Sequence, residues 1–470
     1  MWIHALARGT SRALWGAVRI LASLALIAAA GAAARADVRA MTLREAIAFA
    51  RVHQPSLQAA RARAAVAREQ AQLPRAAWDP RLGASAQLLI GTNNNTTASY
   101  GGPLELVVPR IGGTPANAPV DWTPYASTLA GLGLEQEVYD FGRLGAQASA
   151  FDYFAEAAEQ DAQLADLDLV LYVEESFYAV AGAHAVLAAS EAAVQRSTVH
   201  RDLAKAGVTA SLRPPIEQTR AEADLARFEV DRVRAEGALA ASEAALAAAI
   251  GAPETAIDAG PDDVGYSSVG GLDDVVKDVE ARDPRLRAAD DLLRGQHQVT
   301  RSIEHELMPD LSFNAGFTGR AGGAPVATNA TPTGDGWLPD VPNWDAMLVL
   351  NIPLFDRTVD VRAETSRRLE QVRAQELAAA RVQLRGAAAQ AFSDLQVAQS
   401  AVPALQRSLD AARANEAQAD ARFKAGLATA VELADAEALL TDADIQLAVG
   451  NFQLARARAR LARVIVETVP

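Results

Sequence analysis

The chain has 470 residues, half of them hydrophobic but only 5% aromatic, a balance that favours long alanine-rich helices over large globular cores. Its formal net charge of −14 argues against a nucleic-acid partner, because binding to a phosphate backbone requires clustered Lys and Arg. Cysteine is absent, so no disulfide can stabilise the fold, and packing and assembly must do so.

The N-terminal segment 1–36 is predicted to be a secretory signal peptide. Three arginines in residues 8–19 precede an apolar run over 20–30, and Ala34-Arg35-Ala36 supplies a cleavage site before Asp37. A retained membrane helix is the weaker alternative, because this run is shorter than the roughly 20 residues needed to span a bilayer. Removing the segment takes away four arginines and no acid, which leaves 40 basic and 58 acidic residues and a net charge of −18.

The sequence repeats on the scale of half the chain. Residues 43–64 match residues 272–293 at an offset of 229. The segment "VYDFGR" from Val138 matches "LFDRTV" from Leu354 at an offset of 216. The tripeptide Lys-Ala-Gly that ends at Gly207 recurs at an offset of 219. We therefore predict two structural repeats, the first over 37–270 and the second over 271–470.

Each repeat is predicted to contain a helix, a strand hairpin and a long helical hairpin. The first helices are expected at Ser56–Trp78 and Arg285–Leu307, which end before prolines. The remaining parts are a strand hairpin over 81–139, a helical hairpin over 141–250 and a linker over 251–270 in the first repeat, then a strand hairpin over 310–354 and a helical hairpin over 358–466 in the second.

The strand segments alternate between apolar and polar residues. From Asp310 to Thr318 the odd positions are apolar, and from Asn343 to Ile352 the even positions are. Strands of about ten residues with this period suit a membrane barrel, although a soluble sandwich would alternate too. Polar loops over 92–124 and 319–342, and tryptophans at strand ends, favour the barrel; the tryptophans are Trp78, Trp122, Trp337 and Trp344. The predicted lipid-facing residues are Leu311, Phe313, Phe317, Trp344, Leu348 and Leu350.

Four strands cannot close a barrel by themselves. An open sheet edge in hydrocarbon would leave backbone groups without hydrogen bonds. We therefore expect the barrel to be shared between chains. No uncharged apolar run of 18 residues follows the signal peptide, so we expect no membrane-spanning helix.

The last helix carries a seven-residue repeat. Leucines recur at Leu433, Leu440, Leu447, Leu454 and Leu461, and three positions after each stands a small residue or valine, Ala436, Ala443, Gly450, Ala457 and Val464. Such a sustained pattern predicts a left-handed coiled-coil seam in which small residues allow close approach. An ordinary core stripe is the poorer interpretation.

Taken in order, these motifs resemble those of the TolC family of outer-membrane efflux proteins, over nearly all of the mature length. The matching segments are "TLREAIAFARVHQPSLQAA", "VYDFGR", "IPLFDR", "KAGVTA", "KAGLATAVELADAE" and "LARVIV". The resemblance implies a mainly α fold with a membrane β part: a homotrimer whose four strands per chain form one 12-stranded barrel, continued by a long antiparallel coiled-coil helical barrel. It also implies docking to a periplasmic adaptor (membrane fusion) protein and to an inner-membrane pump of RND, ABC or MFS type.

The two Lys-Ala-Gly segments are predicted to close the helical hairpins. Gly207 and Gly426 would be C-cap positions in a left-handed conformation, and the first turn is expected to be four residues longer, with Pro214-Pro215 beginning the next helix. The resemblance implies that these tips contact the adaptor through Ala206, Gly207, Val208, Ala425, Gly426 and Leu427.

An acidic pair follows the second turn. Glu432 and Asp435 match family positions that ring the closed aperture, and their spacing places both carboxylates on one helix face. In a trimer six such carboxylates would favour cations; alternatively, they only complement the helix dipole. Ala428 and Phe423 stand where some members carry an Arg and a Tyr that latch the aperture, so the sequence leaves a latch undetermined.

The function that follows is a passive exit duct in the outer membrane of a Gram-negative bacterium, extending into the periplasm, gated at its helical tips and serving tripartite efflux or type I secretion. The alternative is a soluble periplasmic coiled-coil structural or adaptor protein. No motif among the six histidines predicts a metal site, and no nucleophile stands at a recognisable spacing from a base. We therefore expect neither an enzyme nor a cofactor. The substrate, a drug, a metal ion or a polypeptide, stays open.

Overall fold

A computed structural model describes residues 39–92, 124–262, 265–266, 270–322 and 341–467. The predicted signal peptide, most of both strand-connecting loops, Trp122 and Trp337 lie outside the described residues. The described chain is mainly helical, with a four-stranded antiparallel sheet and one short parallel strand pair. This confirms the predicted fold class.

The described elements follow the same series in both halves of the chain. They are β1 (Arg39–Met41), α1 (Leu43–His53), α2 (Pro55–Gln70), α3 (Leu73–Ala76), β2 (Arg81–Thr92), β3 (Pro124–Tyr139), α4 (Arg143–Thr209), α5 (Pro215–Ala249), β4 (Ile257–Ala259), α6 (Leu272–Arg282), α7 (Pro284–Glu304), β5 (Asp310–Gly322), β6 (Val341–Asn351), α8 (Arg357–Lys424) and α9 (Ala430–Val464). A 3₁₀ turn, His305–Leu307, follows α7.

The two helical hairpins have nearly identical dimensions. Helices α4 and α8 have 67 and 68 residues, and α5 and α9 have 35 each. The turns span residues 210–214 and 425–429, five residues each. The prediction that the first turn is four residues longer is therefore wrong. From the end of α4 onward, equivalent positions in the two hairpins differ by 215.

The described chain forms two compact units that cut across the sequence repeats. The hairpin unit takes its residues from Met1–Ala62, Gln160–Leu286 and Ala379–Pro470, and the strand unit from Arg63–Glu159 and Arg287–Ala378. Each unit thus contains parts of both repeats. The domain boundaries drawn at the repeats stay a prediction.

The strand unit contains an antiparallel sheet in the order β2-β3-β5-β6. Residues paired across neighbouring strands share a face, because successive side chains of a strand point to opposite faces. One row of paired residues is apolar and consists of Ala84, Leu132, Phe317 and Trp344; the adjacent row on the other face consists of Gly83, Gly133, Gly316 and Asp345. On the apolar face Leu82, Leu88, Trp344 and Leu348 are each more than half exposed. The sheet therefore presents a broad exposed apolar surface on one side.

An aspartate marks each junction between the sheet and a long helix. The Asp140 side chain is buried and accepts the backbone N–H groups of Gly142 and Leu144 at 3.0 and 2.5 Å. The Asp356 carboxylate likewise accepts the N–H of Thr358 at 2.8 Å. A carboxylate here satisfies helical N–H groups and complements the helix dipole. This explains the shared aspartate in "VYDFGR" and "IPLFDR".

The hairpin unit has a core where α1 packs against α4 and α5. Leu43, Ile47, Phe177, Leu246 and Ile250 are each no more than 3% exposed. Helix α1 begins with a capping box between Thr42 and Glu45, and β1 and β4 pair in parallel.

The predicted coiled-coil seam of α9 is buried at three of its five leucines, whereas Leu447 and Leu454 are half-buried. Leu433, Leu440 and Leu461 are each at most 5% exposed, and Leu440 packs with Leu409 of α8. At Gly450 an added side chain would collide with Leu405. The glycine at this heptad position therefore leaves room for the Leu405 side chain of α8.

One helix of the described chain, α4, is long and apolar enough to cross a membrane by length and composition. Length and composition alone do not make a helix a membrane span, so the expectation of no membrane-spanning helix stays a prediction. A third of the most apolar segment of α4 is buried inside the chain. Its buried Phe177 belongs to the core described above.

Candidate functional site

The first tip, residues 206–214, closes the hairpin of α4 and α5. The N–H of Ser211 donates to the carbonyl of Val208 at 2.9 Å, and the N–H of Leu212 donates to the carbonyl of Gly207 at 2.9 Å. Ser211 has a φ of +55°. This pair of bonds around one left-handed residue is the Schellman motif, which satisfies the last carbonyls of a helix.

The second tip, residues 421–429, closes the hairpin of α8 and α9 with the same motif. The N–H of Gly426 donates to the carbonyl of Phe423 at 3.0 Å, and the N–H of Leu427 donates to the carbonyl of Arg422 at 2.8 Å. Gly426 has a φ of +72°. The prediction of a left-handed C-cap glycine is confirmed at this position.

The counterpart of Gly426 is Ser211 and not Gly207. Gly207 lies inside α4, so the prediction that it caps the helix in a left-handed conformation is wrong. An added Cβ at Gly207 would lie 2.8 Å from Cδ of Arg213. Gly207 therefore provides space for the arginine side chain that folds back over the helix end.

Arg213 joins the two tips. Its guanidinium carbon lies 3.7 Å from the ring centroid of Phe423, and Nη2 donates to the carbonyl of Phe423 at 3.0 Å. Nη1 donates to the carboxylate of Glu217 at 2.9 Å. Phe423 is fully buried, and the side chains of Arg213 and Glu217 are about four-fifths buried. A shielded guanidinium with a cation–π contact and two hydrogen bonds holds one tip against the other.

The two predicted gate carboxylates lie on the first turns of α9. The backbone N–H of Glu432 donates to the side chain of Thr429, and its exposed carboxylate lies 3.8 Å from the guanidinium of Arg422. Asp435 is exposed and forms no ion pair with any residue that the structure describes. An exposed ion pair at this distance is weak. Arg422 therefore offsets little of the charge of Glu432, and both carboxylates remain able to attract nearby cations.

A buried histidine and glutamate lie beneath the tips. The Nδ1 atom of His200 is 3.8 Å from the carboxylate of Glu437, and both side chains are less than a tenth exposed. This distance is too long for a hydrogen bond, and neither ring nitrogen of His200 has a hydrogen-bond partner in the described chain. The His200 ring instead packs edge-on against Phe423, with centroids 5.0 Å apart.

A groove of about 230 Å³ lies beside His200, between α5 and α9. Its polar lining consists of His200, Arg220, Asp224 and Asp435. The groove brings one predicted gate residue, Asp435, next to charged residues of the other hairpin. It does not include Glu432, so the structure separates the surroundings of the two gate carboxylates.

The predicted adaptor contacts differ in exposure. Ala206, Ala425, Gly426 and Leu427 are exposed, whereas Gly207 and Val208 are half-buried. Leu212, the counterpart of Leu427, was not among the predicted contacts; the exposed fractions of Leu212 and Leu427 are 82% and 72%. An offset of 215 in place of 219 would have identified Leu212 and also Arg213.

The six predicted lipid-facing residues share one face of the sheet. Three come from β5 and three from β6, and the strand register pairs Leu311 with Leu350, Phe313 with Leu348 and Phe317 with Trp344. The predicted set therefore forms three cross-strand pairs, and the pair of Ala315 with Ala346 lies between the second and the third.

The sequence and the fold both match known proteins. The model of a family described as outer membrane efflux protein matches residues 46–252 and 275–465. No curated protein sequence matches the chain.

Several solved structures share the fold at low sequence identity. The chain is similar to the outer-membrane channel OprN, with a TM-score of 0.74, 20% identity, and coverage of 90% of this chain and 89% of that one. It is also similar to the outer membrane protein VceC from Vibrio cholerae, with a TM-score of 0.73, 18% identity, and coverage of 90% of this chain and 95% of that one. A third similar structure is the MtrE outer membrane channel of Neisseria gonorrhoeae in its open state, with a TM-score of 0.69, 19% identity, and coverage of 90% of this chain and 88% of that one.

Proposed function

Because this chain belongs to the outer membrane efflux protein family, we propose that its two tips form the periplasmic entrance of the channel and that the apolar face of its sheet lies against lipid. The chain is an outer-membrane efflux channel protein that extends into the periplasm, acts as a trimer and interacts with efflux pump components. The soluble coiled-coil alternative has no support.

The exposed apolar face of the sheet is the observation that carries the proposal. Leucines, phenylalanine and tryptophan that are more than half exposed in a single chain would be costly in water. They are favourable in hydrocarbon, where the opposite face, rich in glycine and polar residues, would line a water-filled lumen.

The sheet has two free edges, β2 and β6. In a bilayer each edge needs a partner strand. Three chains that pair β6 of one protomer with β2 of the next supply twelve strands and leave no edge, which is the closed symmetry expected of a trimer.

Glu432 and Asp435 are proposed as a cation-favouring ring at the entrance. Both carboxylates are exposed; Glu432 lies 3.8 Å from the guanidinium of Arg422, and Asp435 lines the groove that also contains Arg220 and Asp224. Three copies would bring six carboxylates toward one axis, where like charges also repel one another and favour opening. Arg213 opposes such opening by holding the second tip against the first.

Leu212 and Leu427 are proposed as the apolar points of the adaptor contact. Each is the residue that follows the left-handed position of its tip, and each is largely exposed. The occupant is proposed to be the tip of a periplasmic adaptor (membrane fusion) protein, with an inner-membrane pump of RND, ABC or MFS type behind it. Exposed leucines at two equivalent turns would give such a partner a repeated anchor.

The experiment that tests the conduit is reconstitution of the mature chain. Protein purified in detergent should run as a trimer by light scattering and produce discrete single-channel conductance in planar bilayers. A monomer that stays in solution without detergent and forms no channels would overturn the proposal.

The gate carboxylates can be tested in the same bilayers. Glu432→Gln combined with Asp435→Asn should lower the cation-to-anion permeability ratio about twofold or more, because charge near a narrow entrance sets local ion concentration. Glu229→Gln removes an exposed carboxylate from α5 away from the tips and serves as the control. Equal selectivity in all three proteins would remove the gate assignment.

A further inference from the structure

We propose that His184, Glu243 and Asp258 form a binding site for a divalent transition metal ion, with Zn²⁺ as the best match. One ligand atom from each residue lies within 4.8 Å of those of the other two. Among the residues that the structure describes, no other group of three His, Asp or Glu side chains meets this criterion. The site lies inside the hairpin unit and does not depend on the conduit function.

Three separate elements supply the ligands. His184 comes from α4, Glu243 from α5 and Asp258 from β4. Their spacings in sequence, 59 and 15 residues, match no short metal-binding motif. This is why the histidine pattern led to the expectation that no metal site exists.

The geometry is already close to that of a metal site. Nε2 of His184 lies 2.7 Å from Oδ1 of Asp258. Ligand atoms about 2.0 to 2.2 Å from a tetrahedral Zn²⁺ lie roughly 3.3 Å from one another, so the His184 and Asp258 ligand atoms would have to separate slightly to admit the ion. The backbone N–H of Ala259 donates to the same carboxylate oxygen at 2.8 Å, and such a secondary hydrogen bond holds a ligand in orientation.

The charges of the cluster call for a cation. Glu243 forms no hydrogen bond or ion pair with any described residue, yet one of its carboxylate oxygens lies within 4.8 Å of the ligand atoms of His184 and Asp258. With a neutral imidazole the group carries two negative charges. One nitrogen and two oxygen ligands suit Zn²⁺ and similar ions, whereas Ca²⁺ and Mg²⁺ prefer oxygen alone. A bound ion would connect α4, α5 and β4 in one clamp.

The test uses the full mature trimer in detergent, freed of its affinity tag and treated with chelator. Calorimetric titration with Zn²⁺ should show one ion per chain, and Co²⁺ should give visible absorption bands of a four- or five-coordinate site. Zn²⁺ should also raise the melting temperature. His184→Ala and Glu243→Gln should each weaken Zn²⁺ binding about tenfold or more.

Glu243→Gln separates this proposal from a simple ion pair between His184 and Asp258. The ion pair needs no Glu243, so unchanged Zn²⁺ affinity in this variant would overturn the proposal, as would the absence of saturable binding to the unaltered trimer. His297→Ala is the matched control, because His297 lies 3.5 Å from Glu370 without a third ligand in the described chain. The Zn²⁺ affinity of His297→Ala should equal that of the unaltered trimer. A loss of affinity in His297→Ala as large as in His184→Ala would show that the ion binds elsewhere and would overturn the proposal.

Discussion

The two tips share one backbone and differ in their side chains. Both close with a five-residue turn and a Schellman motif, yet the first has Ser211, Arg213 and Arg220 where the second has Gly426, Ala428 and Asp435. The first tip therefore extends a basic side chain, Arg213, which packs on the buried Phe423 ring of the second tip. The second tip also has exposed acidic residues.

This difference shows how a duplicated hairpin can divide two tasks. The backbone motif fixes the position of each turn and leaves the side chains to diverge. In the proposed channel, one tip would supply the latch and the other the charged surface that the latch controls.

The contact between Gly450 of α9 and Leu405 of α8 is expected to give the largest effect. Gly450→Leu would force a side chain into the space of Leu405 and should destabilise the second hairpin by about 3 kcal/mol through overpacking. Thermal unfolding of the trimer, followed by circular dichroism, measures this. Gly237 of the first hairpin is the control, because a Cβ added there would meet no neighbouring atom of the described chain within 4 Å. Gly237→Leu should therefore be neutral or stabilising. An equal loss of stability in the two variants would contradict close packing at Gly450.

The first hairpin contains a buried carboxyl where the second has alanines at 387–389. Burial raises the pKa of Glu174 to about 7 from an ordinary 4.5, and the hydroxyl of Tyr266 donates to it at 3.2 Å. The folded chain thus keeps a proton that the unfolded chain releases near pH 4.5. The stabilisation is complete below that pH and is lost as the pH rises to about 7.

We therefore expect the melting temperature to fall between these pH values. Glu174→Gln should remove this fall and be more stable than the unaltered protein by about 2 kcal/mol at alkaline pH. Glu191→Gln, an exposed change on the same helix, is the control. The same pH profile in Glu174→Gln would show that another group is responsible.

The latch should have a smaller effect on stability and a direct effect on conduction. Arg213→Ala removes the contacts with Phe423 and Glu217 and should cost about 1 to 2 kcal/mol of tip closure. Single-channel recordings should show more frequent or larger openings. Arg213→Lys keeps the positive charge but loses the planar guanidinium with its paired N–H donors, so its channel opening should be intermediate between that of the unaltered protein and that of Arg213→Ala. If the Arg213→Ala channel opened no more than the unaltered one, the latch would be refuted.

The smallest effects are expected from exchanging the left-handed residues. Gly426→Ser should destabilise the second tip by about 1 kcal/mol, because a side chain disfavours a positive φ. Ser211→Gly should be nearly neutral or slightly stabilising at the first tip. The difference in melting temperature between the two variants checks this, and a loss in Ser211→Gly greater than in Gly426→Ser would argue against the shared motif.

Local sequence patterns were enough to predict the four-stranded sheet and the long helical hairpins, but not the short pair of β1 and β4. The period of two predicted the sheet face that holds Phe317 and Trp344, and the heptads predicted the buried seam of α9. These patterns are set by the repeat of a strand or helix itself, so they can be read without knowing the neighbours. The register error at the first tip arose because "KAG" is too short to fix an offset.

Contacts between distant segments became visible only in the folded chain. Nothing near Arg213 in sequence indicates that its guanidinium stacks on Phe423, 210 positions away, and no spacing brings His184, Glu243 and Asp258 together. Such contacts depend on how whole helices align. A shift of a few residues in the register of one helix against another would abolish the contacts. The kinds of elements and their apolar faces follow from short-range geometry and can be read from the residues alone, whereas packing sets which polar side chains meet.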